Sequence, residues 1–360
     1  MRGPHRSDLL MYRQIAFGGR NVRMPNIGIV GVGNCSSALV QALHGVSAGT
    51  IAHTDLVPGL ESVPVRDIHV TAAFDVDARK IGLPLEKAIF VEPNCTTCYV
   101  EVPVKSTTVS AGPLADGVTG PLADIVQVHD LARRVTVKDV VAELRECAVE
   151  ILVIYLPTGA QGAAELYAEA AAEAGCSLVN CTPATLGRSS SWQERFRGRS
   201  AILLGDDMKS HIGSTTVHQA LLGVLRRQGV TVNSTYQLNI GGNTDFLNLR
   251  DTGRSAAKRL TKSTALRELV SSETAMSLGP SDHIAQLGDR KVGYIRIEGS
   301  GYLGMPFSME VRLEVEDSPN SAAIAIDAVR VAASARSGSG VDLDAALPLL
   351  FKAPGARGRR

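Results

Sequence analysis

Asn26-Ile27-Gly28-Ile29-Val30 carries no charge and runs directly into Gly31-Val32-Gly33-Asn34-Cys35-Ser36, which opens an Ala- and Leu-rich stretch through Leu43. An uncharged run of this kind reads as a strand buried on both faces, the situation of a parallel sheet covered by helices. A strand that enters a helix through two close glycines narrows the choice further. Glycine lets the backbone approach a pyrophosphate at the helix N-terminus, so Gly31, Val32, Gly33, Asn34 and Cys35 are assigned to a dinucleotide turn. Such turns also arise by chance, and the turn alone does not decide the matter.

A second apolar strand, Asp67 to Phe74, ends in Asp75-Val76-Asp77. An acid at this point can accept from both ribose hydroxyls and would repel a 2′-phosphate, favouring NAD over NADP. Asp75 follows Gly33 by 42 residues, against about 20 in the usual motif, so an insertion covers roughly Ser47 to Arg66. Asp75 also suits a cap for a helix at Ala78. Alternation continues: Thr107–Ser110 extended, Thr136–Cys147 helical, Glu150–Leu156 a buried strand, Gly159–Ala174 a helix closed by Gly175, then strands at Ser177–Asn180 and Ala201–Leu204. This pattern predicts a Rossmann-like, doubly wound α/β sheet with ligands at the C-terminal strand ends. Gly31 to Ser36, Asp75, Leu156 to Gly159 (with Thr158), Asn180 to Pro183 and Gly205 to Asp207 all fall there.

After Gly229 the character shifts. Thr235–Ile240, Val292–Ile297 and Phe307–Glu316 read as strands, the last alternating apolar Phe307, Met309, Val311, Leu313 and Val315 with polar neighbours. Period two with charges on one face predicts a half-exposed, antiparallel sheet suited to an oligomer contact. Asp317 to Ser321 starts a helix to Ala335, and a last one spans Asp342 to Phe351. The expected division is an extension over 1–23, frayed and basic; a Rossmann-like domain from 24–233 and 318–360; and, inserted before the C-terminal helices, an α+β catalytic and oligomerisation domain over 234–317.

Balance of 37 basic and 36 acidic residues gives no global attraction to nucleic acid. No apolar run reaches the roughly 20 residues of a membrane span. Six scattered cysteines, with no secretory segment before them, point to reduced thiols in the cytoplasm. Cys95-Thr96-Thr97-Cys98 lacks a second pair or a nearby His, and no metal ligand set is assigned.

Chemistry is densest from Gly205 to Lys262. Lys209-Ser210 through Thr216 precedes a helix with Val217, Leu221 and Leu225 every four residues, which suits a phosphate cradle and equally a capped helix with Ser210 or Ser214 at its start. Lys258 and Lys262 share one side of a helix, either a solvated face or a pair with an anion between them.

The chain resembles the NAD-dependent inositol-3-phosphate synthases (myo-inositol-1-phosphate synthases), especially the compact bacterial type. The residues that carry this are Gly31 to Cys35, Ala73 to Asp77, Gly205 to Ser210, Gln237 to Asn248, Ser281 to His283, Asp289 to Lys291 and Asp317 to Ala322, in that order from Asn26 to Lys352. The resemblance implies oxidation of glucose 6-phosphate at C5 by bound NAD, enolisation, aldol closure between C6 and C1, and reduction by the same cofactor. It implies Lys258, Lys262, Lys291 and Lys352 around the substrate with Asp207 and Asp245, and Asp206, Asn239, Asn243 and Thr158 toward the cofactor. Cations placed beside enolate and aldolate oxyanions lower the barrier without a Schiff base. On this reading Lys209, Ser210, Gly213, Ser214 and Thr215 hold the phosphate, and Asp245 orients a lysine. A homotetramer is expected, and the sequence specifies no divalent or monovalent cation. Cys181-Thr182 and Val292-Gly293 depart from the family pattern. That keeps open a paralogue closing fructose 6-phosphate to a five-membered carbocycle, with an ordinary sugar-phosphate dehydrogenase behind it.

Overall fold

The computed structural model describes residues 25–105, 107–251, 253–255 and 266–355. The extension over 1–23 and both Lys258 and Lys262 lie outside them.

Six strands, β1 (Asn26–Val30), β2 (His69–Asp75), β3 (Val109–Ala111), β4 (Ile151–Ile154), β5 (Ser177–Asn180) and β6 (Leu203–Leu204), form a parallel sheet in the order β3-β2-β1-β4-β5-β6. β1, β4 and β5 are buried along their whole lengths, which is why they read as uninterrupted uncharged runs. Helices α1 (Asn34–Ser47), α2 (Val137–Glu146), α3 (Gln161–Ala174) and α4 (Ser190–Arg197) connect them. One face packs Leu39 and Leu43 of α1 with Ile324 and Val329 from the far end of the chain; the other packs Leu144 of α2 with Ala164 and Ala168 of α3. Gly175 ends α3 in the left-handed region, as expected, and α2 starts with a capping box of Thr136 and Asp139. α4 was not anticipated. Its apolar content is slight, and it is fixed by the Ser189 cap and buried Phe196.

The insertion between α1 and β2 is bound tightly to the sheet's helical cover. Arg330 donates to Asp55, Asp327, Leu60 O and Val63 O, and His53 lies 2.9 Å from Asp327. His53, Asp55 and Asp327 converge as metal ligands would, but the guanidinium already balances the two carboxylates.

After α5 (Ser214–Arg227) come β7 (Thr231–Gly241), the short α6 (Thr244–Asn248), β8 (Ala275–His283), β9 (Arg290–Ser300) and β10 (Pro306–Glu316). They form a second sheet, β10-β9-β7-β8, in which β9 runs antiparallel to its neighbours while β8 is parallel to β7. The expectation of a purely antiparallel sheet is therefore corrected. β8 was invisible locally because Gly279 and Pro280 interrupt it; as an edge strand it tolerates a proline, and pairing with β7 defines it. β10 alternates as predicted, turning Phe307, Met309 and Val311 toward Leu222, Ile295 and Ile297. The chain then returns to the first sheet through α7 (Pro319–Ser337) and α8 (Leu343–Leu350). Among the described residues no helix is long and apolar enough to cross a membrane.

Candidate active site

The C-terminal ends of the parallel strands open onto a cavity of about 910 Å³ whose opposite wall is β7, α6 and the first turn of α7. The chain segment after α8 closes one side. Of the residues singled out in the sequence, Gly31, Gly33, Asn34, Cys35, Asp75, Thr158, Asp207, Lys209, Ser210, Gly213, Ser214, Thr215, Asn239, Asn243, Asp245, Lys291 and Lys352 all line it. Val32 and Asp206 do not.

At the β1–α1 turn Gly31 has φ 84°, and a Cβ there would sit 2.7 Å from Tyr155 O. Only glycine fits both conditions. Gly33 is the N-cap of α1 without any side-chain cap, and a Cβ built on it would meet nothing within 4 Å. Room for a ligand and uncapped helical N–H groups therefore coincide, the combination an anion needs. Val32 is wholly buried, and its backbone does the work: its N–H donates to Asp75 Oδ2 at 2.7 Å and its carbonyl accepts from Lys80 and Asn94. Asp75 Oδ1 also accepts from the backbone N–H groups of Val76 and Asp77. Burial lowers the pKa of Lys80. The Asn34 amide turns away, accepting from Cys95 N and donating to Cys95 Sγ. The Cys95–Cys98 segment is thus a wall of the turn, and burial lifts the Cys35 thiol to about 12, leaving it protonated.

Asp206 needs a correction as a cofactor ligand. Its carboxylate is fully buried and accepts from the N–H groups of Leu186, Gly187 and Arg188, from Asn180 Nδ2 and from Arg188 Nε. These bonds tie it to the end of β5 and to the 186–188 backbone, so it shapes one wall of the site from behind. Burial still raises its pKa against these donors. Asp207, next along, has φ 58° and faces the other way: Oδ1 accepts from Lys352 Nζ at 2.8 Å while Oδ2 is buried with no partner among the described residues. Lys352 reaches it because Met208 and Phe351 form a β-bridge and Lys352 N donates to Asp207 O.

Lys209 donates to Pro348 O at 2.6 Å, and its pKa is lowered by burial and then by Lys352. Asn320 fixes the following turn: its carbonyl and Oδ1 accept from His211 and Ile212 N–H, and its Nδ2 donates to Ile212 O. α5 then begins with Gly213 as N-cap and no side-chain cap. Neither Ser210 nor Ser214 caps the helix, and the first-turn residues face the cavity.

On the opposite wall Asn243 caps α6 and donates to Asp289 Oδ1 at 3.0 Å; Asp245 accepts from Thr158 Oγ1 at 3.0 Å; Asn239 donates to Gly279 O. Lys291 pairs with Asp317 at 2.9 Å, its ammonium 5.9 Å from the Phe246 ring centre. Sequence reasoning passed over Asp289 and Asp317 as functional groups. Asp289 is buried, accepts from Asn243 and from Ser318 N and Oγ, and has its pKa raised by burial to about 6. The signal that could have found both is their position in the Asp289-Arg290-Lys291 and Asp317-Ser318-Pro319 motifs, each at an end of a strand of the second sheet. Arg254 latches the segment after α6 to the first domain, donating to Asp116 O, Thr158 O and Asn248 Oδ1, and to Thr119 Oγ1.

A family model described as myo-inositol-1-phosphate synthase matches residues 213–318, the span from the α5 N-terminus to Ser318. The inositol-3-phosphate synthase of Mycolicibacterium smegmatis is 41% identical over 341 residues, covering 91% of this chain and 92% of that protein. That of Corynebacterium glutamicum is 38% identical over 342 residues, with 91% and 93% covered. Among solved structures, Ari2 superposes with TM-score 0.75 at 37% identity over 92% of this chain and 93% of that one. A myo-inositol-1-phosphate synthase-related protein from Thermotoga maritima gives TM-score 0.76 at 22% identity over 92% and 93%, a likeness of fold. With relatedness of this extent over nine-tenths of its length, the chain belongs to the inositol-3-phosphate synthase (myo-inositol-1-phosphate synthase) family.

Proposed function

We propose that this protein converts glucose 6-phosphate to 1D-myo-inositol 3-phosphate with NAD as a cofactor regenerated in each turnover. The observation that carries this reading is the sharing of one cavity by two uncapped helix N-termini and two carboxylate-paired lysines. The α1 turn, with Gly31, Gly33 and Asp75, would hold the dinucleotide, and when bound NAD would take a hydride from the sugar and return it. Thr158, Asn239, Asn243 and Asp245 border the place where cofactor and sugar meet.

The residues of the chain do the rest. Ser210, Gly213, Ser214 and Thr215 offer hydroxyls and first-turn N–H groups to the phosphate, and Lys209 adds charge beside it. Lys352 and Lys291, each oriented by its carboxylate, stabilise the enolate and aldolate oxygens and move protons on and off them. Lys258 and Lys262 are assigned to the same oxyanions. The assembly is proposed to be a cytoplasmic homotetramer joined through the second sheet, with the 234–317 insertion as the catalytic domain.

The test is incubation of purified protein with catalytic NAD and either glucose 6-phosphate or fructose 6-phosphate, following products by NMR. Inositol phosphate from glucose 6-phosphate, with no net NADH, is the expected outcome. A carbocycle from fructose 6-phosphate alone, or stoichiometric NADH, overturns it.

A further inference from the structure

Two side chains with no part in the chemistry above, Asn248 and Arg254, join α6 to the loops that follow β3 and β4. The carbonyl of Thr158, in the loop after β4, accepts from Asn248 Nδ2 at 2.9 Å and from Arg254 Nη1 at 3.2 Å. The same arginine nitrogen donates to Asn248 Oδ1 at 2.6 Å. Nη2 reaches the loop after β3, donating to Asp116 O at 3.0 Å and to Thr119 Oγ1. All four hydrogens on the two terminal nitrogens are thereby engaged.

The partners are themselves fixed. Asn248 is wholly buried, and flipping its amide would set NH2 against the guanidinium and oxygen against the Thr158 carbonyl. The Asp116 carboxylate accepts from the Gly162 and Ala163 N–H groups in the first turn of α3, at 2.8 and 2.9 Å. The arginine stem lies over Gly159, which has φ 93° and where a Cβ would sit 2.8 Å from Arg254 Cγ. Asp251 Oδ1 accepts from Arg254 N at 3.2 Å. Toward the cavity, the Thr158 hydroxyl donates to Asp245 Oδ1 at 3.0 Å. Gly117, Thr158, Asp245 and Asn248 line the cavity, with Arg254 behind them.

We propose that Arg254 and Asn248 are positioning residues for Asp245, holding the Thr158 hydroxyl where it donates to that carboxylate. Two donors on the Thr158 carbonyl fix the peptide, and the peptide fixes where its own side chain starts. The arginine's bonds go to uncharged oxygens, so the shape of the guanidinium sets its place. Its planar fork presents two nitrogens in fixed directions, one to each loop, which the single nitrogen of a lysine cannot do. Thr158 stands on the side proposed for the cofactor and Asp245 on the side proposed for the lysines. The clamp keeps the two in one frame.

The kinetic part rests on the cyclase reading, with wild-type turnover of glucose 6-phosphate as its control; the clamp itself is read without turnover. In hydrogen exchange of the full chain, Arg254→Met is expected to speed exchange over residues 157–163 about tenfold or more and to leave β1 and β5 unchanged. Unchanged exchange there overturns the proposal, whether or not the wild type turns over the sugar. Arg254→Met and Thr158→Val are each expected to lower kcat about thirtyfold with KM for the sugar phosphate within about threefold, while Thr158→Ser stays within about threefold of wild type. The double variant of Arg254→Met and Thr158→Val is expected to lie within about threefold of either single one, since both remove the same support from Asp245. Arg254→Lys is expected to recover less than about threefold of the loss. Additive losses in the double variant, full rescue by Arg254→Lys, or a lower melting temperature at unchanged kcat overturns it.

Discussion

Asp289 is the residue at which burial and function meet most directly. Its carboxylate touches no solvent to speak of, yet it holds the Asn243 cap and the Ser318 turn, and through them the loops that present Asp245 and Lys291's partner Asp317. Burial holds its folded pKa at about 6, above the ordinary aspartate value of 3.8. The folded state therefore binds this proton more tightly than the unfolded chain. The group's contribution to stability is full below about pH 4 and is lost as pH rises through about 6, by on the order of 2–3 kcal/mol. Asp289→Asn removes that dependence. Urea denaturation at pH 4 and pH 7 should show the variant gaining on wild type by roughly that amount; an unchanged difference would contradict the raised pKa.

At the scale of elements, the packing of α5 on β9 decides how the cradle sits. A Cβ built at Gly293 would overlap Ser214 Oγ, so the missing side chain is the space that the first residue of α5 occupies. This gives physical content to the Val292-Gly293 departure noted in the sequence: it makes room for Ser214 beside Asn239. Gly293→Ala should push Ser214 out of line, raising KM for the sugar phosphate about tenfold or more while NAD affinity changes little. Steady-state kinetics with isothermal titration of NAD checks it. An unchanged KM would mean that helix and strand separate without effect on the phosphate.

The site as a whole is assembled from regions far apart in the chain. β1 and β2 supply the glycine turn proposed for the dinucleotide, β6 and α5 the Asp207 wall and the proposed phosphate cradle, the second sheet Asn239 and Lys291, and the chain's last described residues Lys352. That last segment is held by an isolated β-bridge and by backbone bonds, with Asp206 N donating to Ala353 O and Gly355 N to Gly205 O around the buried Phe351. Lys352→Met should therefore lower kcat by about a thousandfold while melting stays within a few degrees. A chain ended at Leu350 should lose both turnover and, with Phe351 gone, roughly 3–5 kcal/mol of stability. Calorimetry beside kinetics separates the two; equal stability in both variants would deny the segment its structural part.

How much of this was legible follows from range. Buried parallel strands, the glycine turn at Gly31, the alternation of β10 and the helix stop at Gly175 are set by neighbours within a few residues, and the sequence by itself determined them, together with the family that the motif order identifies. β8 could not be read, since an edge strand broken by Gly279 and Pro280 is defined by the hydrogen bonds β7 offers it. The two acids at 206 and 207 are adjacent and chemically alike, and no local rule sends one beneath a loop and the other to a lysine 145 residues away. Partners for buried charges depend on groups brought together only by the closing of two sheets on one cavity. Long-range desolvation and hydrogen bonding, which have no signature in local spacing, made those decisions in the tertiary structure.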